Sequence, residues 1–145
     1  METINDVLRA KGHEIISVGP EATVLDALKV MAEKNIGAVL VIDDSGKLQG
    51  IFSERDYARK IILLGKASKS TPVKEIMTRK VFYAKTGQTI EECMASMTKN
   101  KIRHLPVLDE SGLAGVVSIG DIVKSLISEK DHLIEQLEHY ISSSL

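Results

Sequence analysis

The 145-residue sequence predicts an α/β fold of the α+β type, built from two copies of one β-α-β-β-α unit. Residues 23–46 and 89–112 align at a constant offset, and pairs such as Asp43 and Asp109 are identical. Each copy contains apolar residues at helical spacing, then a β-branched run, a turn and a second apolar run. Each copy also ends in Gly-x-x-Ser-x-x-Asp. The chain is therefore interpreted as a tandem repeat.

A short strand and a capped helix open each copy. Residues 15–18, Ile-Ile-Ser-Val, form a short, mainly apolar run that stops at a Gly-Pro pair, which predicts a strand. Thr23 then precedes a helix, and Asp26 three residues later completes a capping-box pattern. Thr89 and Glu92 repeat this pattern in the second copy.

A hairpin and a second helix complete each copy. Residues 38–42 form a continuous apolar run, an Asp-Asp-Ser-Gly turn follows, and the chain returns over residues 48–52, which predicts a β-hairpin. A helix is expected over residues 54–64 in the first copy and from about residue 120 onward in the second.

Helix signals and a polar stretch set the domain boundaries. A leader helix over residues 3–11 ends at Gly12, and Pro72 is expected at the first position of a similar short helix. We predict repeat 1 with its leader helix at 1–64, a linker at 65–71, repeat 2 at 72–128 and a helical extension at 129–145.

The extension carries an apolar stripe that needs a partner. The stripe begins just before the extension, and its residues recur at helical spacing: Ile127, Leu133, Ile134, Leu137 and Ile141. Two hypotheses stay open at this point: the helix packs back on its own domain, or two copies associate through it as a homodimer.

Composition limits the partners and the compartment. The formal net charge of −1 offers no chain-wide attraction to nucleic acid or to an anionic membrane, so neither is an expected partner. The apolar runs are too short to cross a bilayer, and the first residues lack a signal-peptide pattern. The single cysteine, Cys93, lies on the apolar side of a helix and is expected to be buried and unreactive. These features favour a cytoplasmic protein.

The sequence contains no recognisable catalytic arrangement, so we expect no enzyme activity, no metal and no catalytic cofactor. Its histidines are too widely spaced for a ligand motif, and the Asp43-Asp44 and Asp109-Glu110 pairs lie in turns. A glycine-rich loop of Rossmann or P-loop spacing is also missing.

The duplicated motifs resemble the cystathionine-β-synthase (CBS) domain. The stretches that carry the resemblance are Gly-Ile-Phe-Ser-Glu-Arg-Asp at 50–56, Gly-Val-Val-Ser-Ile-Gly-Asp at 115–121 and Ile-Arg-His-Leu-Pro-Val at 102–107. Two such repeats resemble a CBS pair, or Bateman module, of the small stand-alone bacterial kind. The resemblance implies that the repeats pack about a pseudo-twofold axis and form two clefts for AMP, ADP, ATP, NAD or S-adenosylmethionine.

By this resemblance each cleft combines residues of both repeats, with apolar side chains around the adenine. The first cleft would contain Ile15, Ile16, Ile36, Gly37 and Ala38 together with Val116, Ser118 and Asp121. The second would contain Thr78, Val81, Phe82, Ile102, Arg103 and His104 together with Ile51, Ser53 and Asp56. For any single apolar residue in these sets, ordinary core packing is the competing interpretation.

The Ser-x-x-Asp motif suits such a ligand on its own chemistry. At a strand-to-helix turn, the serine hydroxyl and the first helical amides can donate to a phosphate, and the aspartate can accept from ribose hydroxyls. The competing interpretation is that the serine caps the helix and the aspartate stabilises its first turn. We expect binding first at Ser118 and Asp121.

Cationic residues near the motifs are expected to contact phosphate. Arg103 and His104 are the first candidates, and Arg55 and Arg59 lie near Ser53. The first repeat has Gly-Ala-Val-Leu at 37–40 and lacks the Arg and the Pro of the family pattern, so the two sites should differ.

The expected function is regulatory binding of an adenine nucleotide, with AMP first and ATP or NAD as alternatives, acting in trans on another protein. The alternative is an interaction or dimerisation scaffold with vestigial clefts.

Overall fold

The chain folds into two compact units that do not follow the sequence repeats. The computed structural model describes residues 2–144, and side chains as far as residue 143. One unit, the first-repeat unit, is Ile15–Val81; the other, the second-repeat unit, is Met1–Glu14 with Phe82–Leu145. The leader helix therefore packs with the second repeat, although it is adjacent to the first in sequence.

The first-repeat unit contains one three-stranded sheet. Strand β1 runs parallel to β2, and β2 is antiparallel to β3, with the order β1-β2-β3. Its strands and helices are β1 Ser17–Val18, α2 Val24–Lys34, β2 Ala38–Ile42, β3 Leu48–Ser53 and α3 Glu54–Asp56. A π-helix, Tyr57–Ile62, continues α3, and Val73–Glu75 forms a 3-10 turn.

The second-repeat unit repeats this sheet, with a longer hairpin and a longer final helix. Strand β4 runs parallel to β5 and β5 is antiparallel to β6, again in sequence order. Its elements are α1 Ile4–Lys11, β4 Ala84–Lys85, α4 Ile90–Asn100, β5 His104–Asp109, β6 Gly112–Ser118 and α5 Ile119–Ser144. The β-α-β-β-α order predicted for both copies is confirmed.

The hydroxyl half of each predicted capping box is present. The Oγ1 atoms of Thr23 and Thr89 each accept from the backbone N–H three residues later, at 3.1 Å. Each hydroxyl therefore satisfies a first-turn amide that has no partner within the helix. Gly12 ends α1 at φ 106°, a conformation that a side chain disfavours.

The position of α1 follows from its apolar face. Ile4, Val7 and Leu8 are buried and join the core formed by the second repeat. Leu8 packs against β6 where Gly115 has no side chain: a Cβ there would lie 2.9 Å from Leu8 Cδ2. Burying this apolar surface favours the contact by about 25 cal/mol per Å².

Several element boundaries differ from the sequence predictions. The predicted strand 15–18 is limited to Ser17–Val18, which are in register with Leu40 and Val41 of β2, although the Ile16 carbonyl also accepts from the Leu40 N–H at 3.3 Å. The helix predicted over 54–64 changes to a π-helix after Asp56 and ends at Ile62. The backbone of Pro72 is extended, with ψ 142°, and Pro72 occupies the N-cap position before the 3-10 turn. Its predicted placement at the first helical position was therefore wrong.

Over the described residues, the predicted extension 129–145 is the second half of α5, which continues from the second repeat as one helix, as predicted. Its apolar side chains are more than half exposed: Leu133, Ile134, Leu137, Tyr140 and Ile141. The hypothesis that this stripe packs back on its own domain is therefore wrong for the described part of the chain.

Candidate functional site

The first Ser-x-x-Asp motif forms a closed hydrogen-bonded corner where β3 becomes α3. The Asp56 Oδ2 atom accepts from the Ser53 N–H at 3.0 Å and from Ser53 Oγ at 3.2 Å, and Ser53 Oγ accepts from the Asp56 N–H at 3.3 Å. Asp56 Oδ1 accepts from Thr78 Oγ1 at 2.9 Å and lies 3.1 Å from Lys60 Nζ. Both carboxylate oxygens therefore have partners.

The second motif forms the matching corner between β6 and α5. Asp121 Oδ2 accepts from the Ser118 N–H at 2.8 Å, and Ser118 Oγ accepts from the Asp121 N–H at 3.2 Å. Lys11, the last residue of α1, also donates to Asp121 Oδ2 at 2.7 Å. The same ammonium group donates to the Val116 carbonyl oxygen at 2.9 Å.

The two carboxylates differ in exposure. The side chain of Asp56 is 9% exposed, whereas that of Asp121 is 24% exposed. Burial raises the pKa of Asp121, but hydrogen bonds from Lys11 and Ser118 together with the Lys11 charge outweigh it, so the pKa lies below 3.8. Asp121 is therefore an ionised, partly accessible acceptor at the start of a long helix.

The first amide of each helix is already satisfied. The Glu54 N–H donates to the Gly37 carbonyl at 3.1 Å, and the Ile119 N–H donates to the Arg103 carbonyl at 2.8 Å. To donate to a phosphate, these two amides would have to give up their bonds to the backbone carbonyls. Both motifs act as helix caps, which was the competing interpretation, and ligand binding by them stays a prediction.

The predicted site residues are divided between the two units. The first-repeat unit contains Ile15, Ile16, Ile36, Gly37, Ala38, Ile51, Ser53, Arg55, Asp56, Thr78 and Val81; the second-repeat unit contains Phe82, Ile102, Arg103, His104, Val116, Ser118 and Asp121.

Within each unit, several of these residues meet. Thr78 exchanges backbone hydrogen bonds with Ile51 on the edge strand β3 while its hydroxyl contacts Asp56. In the other unit, His104 is opposite Ser118 in the β5–β6 ladder. Arg103 is exposed next to them.

Sequence analysis missed the lysines that pair with the motif aspartates. Lys60 lies four residues after Asp56 on the same helical turn, a spacing that signals an ion pair. Lys11 is 110 residues from Asp121, and no local pattern could have identified it. The histidine beside it, His13, contacts the Ala114 carbonyl through Nδ1 at 3.0 Å. This segment therefore covers the edge of β6.

No group of three or more His, Cys, Asp or Glu side chains in residues 2–144 is placed to hold a metal ion. Cys93 is 1% exposed, and burial raises the pKa of its thiol to about 11, which confirms that it is a buried apolar residue. Among the helices that the structure describes, none is long and apolar enough to cross a membrane.

A shallow hollow of about 400 Å³ lies along the start of α5. It is lined by Ile119, Gly120, Val123, Lys124 and Ile127. It continues into the exposed apolar face of the same helix.

The fold and the duplicated corners define a class: a tandem pair of β-α-β-β-α repeats, each ending in a Ser-x-x-Asp helix cap. The family model of the CBS domain matches residues 3–63 and 73–128, so the chain belongs to the CBS domain family. The resemblance drawn from the sequence is thereby confirmed.

Known relatives agree with this assignment. The mitochondrial CBS domain-containing protein CBSX3 of Arabidopsis thaliana is 40% identical, over 96% of this chain and 71% of that protein. A candidate signal-transduction protein with CBS domains from Burkholderia ambifaria MC40-6 is 50% identical, with a TM-score of 0.84 over 88% of this chain and 95% of that one. The CBS domain pair of the protein MJ0100 was solved in complex with 5′-methylthioadenosine and S-adenosyl-L-methionine. It is 25% identical, with a TM-score of 0.76 over 89% of this chain and 98% of that one.

Proposed function

We propose that this chain is a regulatory module that binds an adenine nucleotide and acts in trans on another protein. The observation that carries the proposal is the Asp121 carboxylate, which is ionised, 24% exposed and held at the start of α5 by its own capping contacts. Such a group can accept hydrogen bonds from the vicinal hydroxyls of a ribose, and a helix start favours a nearby phosphate. The adenosine compounds bound by the CBS pair of MJ0100 support this ligand class.

The proposed ligand contacts use residues predicted from the sequence but group them within each unit, whereas the sequence prediction combined residues of both repeats in each cleft. In the second-repeat unit, Val116 and Ile102 would contact the base, Ser118 and Asp121 the ribose, and Arg103 and His104 the phosphate. In the first-repeat unit, base contacts are proposed for the apolar residues and ribose contacts for the motif residues; the set is Ile15, Ile16, Ile36, Gly37, Ala38, Ile51, Ser53, Arg55, Asp56, Thr78 and Val81.

The two motifs should not bind with equal affinity. Asp56 is nearly buried, and both of its carboxylate oxygens accept hydrogen bonds. At Asp121, the hydrogen bonds from Ser118 and Lys11 both go to Oδ2. A ligand at Asp56 must displace more hydrogen bonds than a ligand at Asp121. We therefore propose that the ligand binds first at Asp121. AMP is the first candidate ligand, and ATP or NAD are the next. We also propose that the chain has no catalytic activity and a cytoplasmic location.

Thermal stability with and without nucleotide tests the proposal. A ligand present at 100 times its Kd and bound only by the folded state adds about 2.7 kcal/mol to the free energy of unfolding, which raises the Tm. AMP should raise the Tm of the wild type, and Asp121→Asn should weaken AMP binding at least about tenfold. Asp131→Asn, which removes an exposed carboxylate from the same helix, is the matched control. No Tm shift with AMP, ATP or NAD would refute the proposal.

A second candidate function, a self-association scaffold, is favoured by the exposed apolar face of α5. Val123 and Ile127 extend this face from the hollow toward Leu137, and each is at least 43% exposed. Charge complementarity favours a second copy of the chain as the occupant. In an antiparallel pair centred near Ile134, Lys130 of one copy would lie near Glu138 of the other.

Sedimentation equilibrium across a concentration series tests this candidate. The wild type should be a dimer, and Leu137→Glu should make it a monomer because a carboxylate would be buried in the interface. Ser128→Glu places the same charge on the opposite face of α5 and should leave the dimer intact. A wild type that is monomeric at every concentration would remove this candidate.

A further inference from the structure

The end of the leader helix reaches into the Ser118–Asp121 corner and places a cation where a ligand hydroxyl is expected. The Lys11 ammonium donates to Asp121 Oδ2 at 2.7 Å and to the Val116 carbonyl at 2.9 Å. One group thus satisfies the motif carboxylate and a strand-edge carbonyl of β6 together. These are acceptors of the kind that the hydroxyl and amino groups of an adenosine compound would use.

The contact between Lys11 and Asp121 can break and re-form because the lysine is partly exposed to water. The Lys11 side chain is 38% exposed, so its charge can return to water without a large penalty. The bond from the Ser118 N–H to Asp121 does not involve Lys11, so we expect the corner to stay formed when the lysine leaves.

We propose that Lys11 is an internal occupant of this corner, and that its displacement makes the site select anionic adenylates over neutral adenosine. The inference rests on the proposed function and deepens it. When a ribose takes the place of Lys11 on Asp121, the ammonium loses its carboxylate partner. An adenosine molecule offers no replacement anion, whereas the phosphate of AMP does.

The same arrangement in the other unit supports this assignment of roles. Lys60 Nζ lies 3.1 Å from Asp56 Oδ1 and donates to the Ile76 carbonyl at 3.0 Å. Each motif aspartate is thus paired with a lysine that also contacts a backbone carbonyl. The lysines come from different parts of the chain, one before the motif and one after it, so an ammonium group beside the motif aspartate is a feature that both units share.

Isothermal titration calorimetry with adenosine and with AMP tests the inference on the full-length chain. In the wild type AMP should bind more tightly than adenosine. In Lys11→Met, which keeps the apolar stem, adenosine should bind about fivefold more tightly and the preference for AMP should fall by at least that factor. Lys99→Met makes the same change on an exposed position of α4 and should leave both affinities unchanged. The Tm of each unliganded variant, including Lys11→Gln, shows whether a loss of ligand binding is caused by unfolding.

The outcomes separate the two proposals. A wild type that binds neither ligand refutes the proposed function and the inference with it. Binding that Asp121→Asn leaves unchanged places the ligand elsewhere and overturns the inference. If Lys11→Met leaves the ratio of AMP to adenosine affinity within twofold of the wild type, or weakens both ligands equally, the proposed function stands and the role of Lys11 is wrong.

Discussion

The burial of Asp56 predicts that the first motif contributes more to stability than the second. Asp56→Ala removes the acceptor for the Ser53 N–H, for the Thr78 hydroxyl and for the Lys60 ammonium. The first two donors lie in a partly buried corner and find little water, whereas the Lys60 side chain is 39% exposed and can be rehydrated. We expect a loss of about 3 kcal/mol, with about 1 kcal/mol from each of the less accessible donors and the rest from the lysine and the lost cap.

The matched substitution is Asp121→Ala. It removes the acceptor for the Ser118 N–H and for Lys11, whose side chain is 38% exposed, and we expect a loss of about 1.5 kcal/mol. Urea denaturation followed by circular dichroism measures both variants. Asp56→Asn keeps an oxygen for Ser53 and should lose about half as much as Asp56→Ala. Equal losses at the two motifs would refute the reasoning that burial decides their contribution.

Three further outcomes follow from the described contacts. Because its folded pKa is depressed, Asp121 stabilises the fold above its ordinary pKa of 3.8 and loses this contribution as pH falls through the folded value; thermal melts below pH 4 should be less pH-dependent in Asp121→Asn than in the wild type. A Cβ at residue 50 would lie 2.7 Å from the Thr78 carbonyl oxygen, so Gly50→Ala should lower the free energy of unfolding by about 2 kcal/mol, more than Gly115→Ala, whose neighbour is a flexible side chain. Cys93 should react with a thiol reagent only as fast as the protein unfolds, and fast reaction of the native protein would contradict its burial.

The repeated fold could be predicted because its signals are local. Thr23 and Thr89 cap helices through atoms three residues away, and the hairpin 38–53 is defined by a turn between two apolar runs. The family match followed from the same duplicated motifs.

The division into units could not be predicted in the same way. The leader helix was grouped with the first repeat because it precedes it, yet Leu8 packs against Gly115 in the second. An apolar helical face shows that a partner is needed, but it does not show which sheet provides the complementary surface.

The candidate site divides in the same manner. The residue types and spacing of each Ser-x-x-Asp motif were legible in the sequence, including its alternative role as a helix cap. The bond from Thr78 to Asp56 and the lysine on each aspartate were not, and they determine how accessible each carboxylate is.

By itself, the amino-acid sequence determined the repeat, the order of its elements and the chemistry available at each corner, because these depend on residues a few positions apart. Only the tertiary structure decided that Asp56 is nearly sealed, that Lys11 pairs with Asp121, and that the end of α5 leaves its apolar side exposed. The reason is that burial and ion pairing depend on distances in space between groups that are remote along the chain.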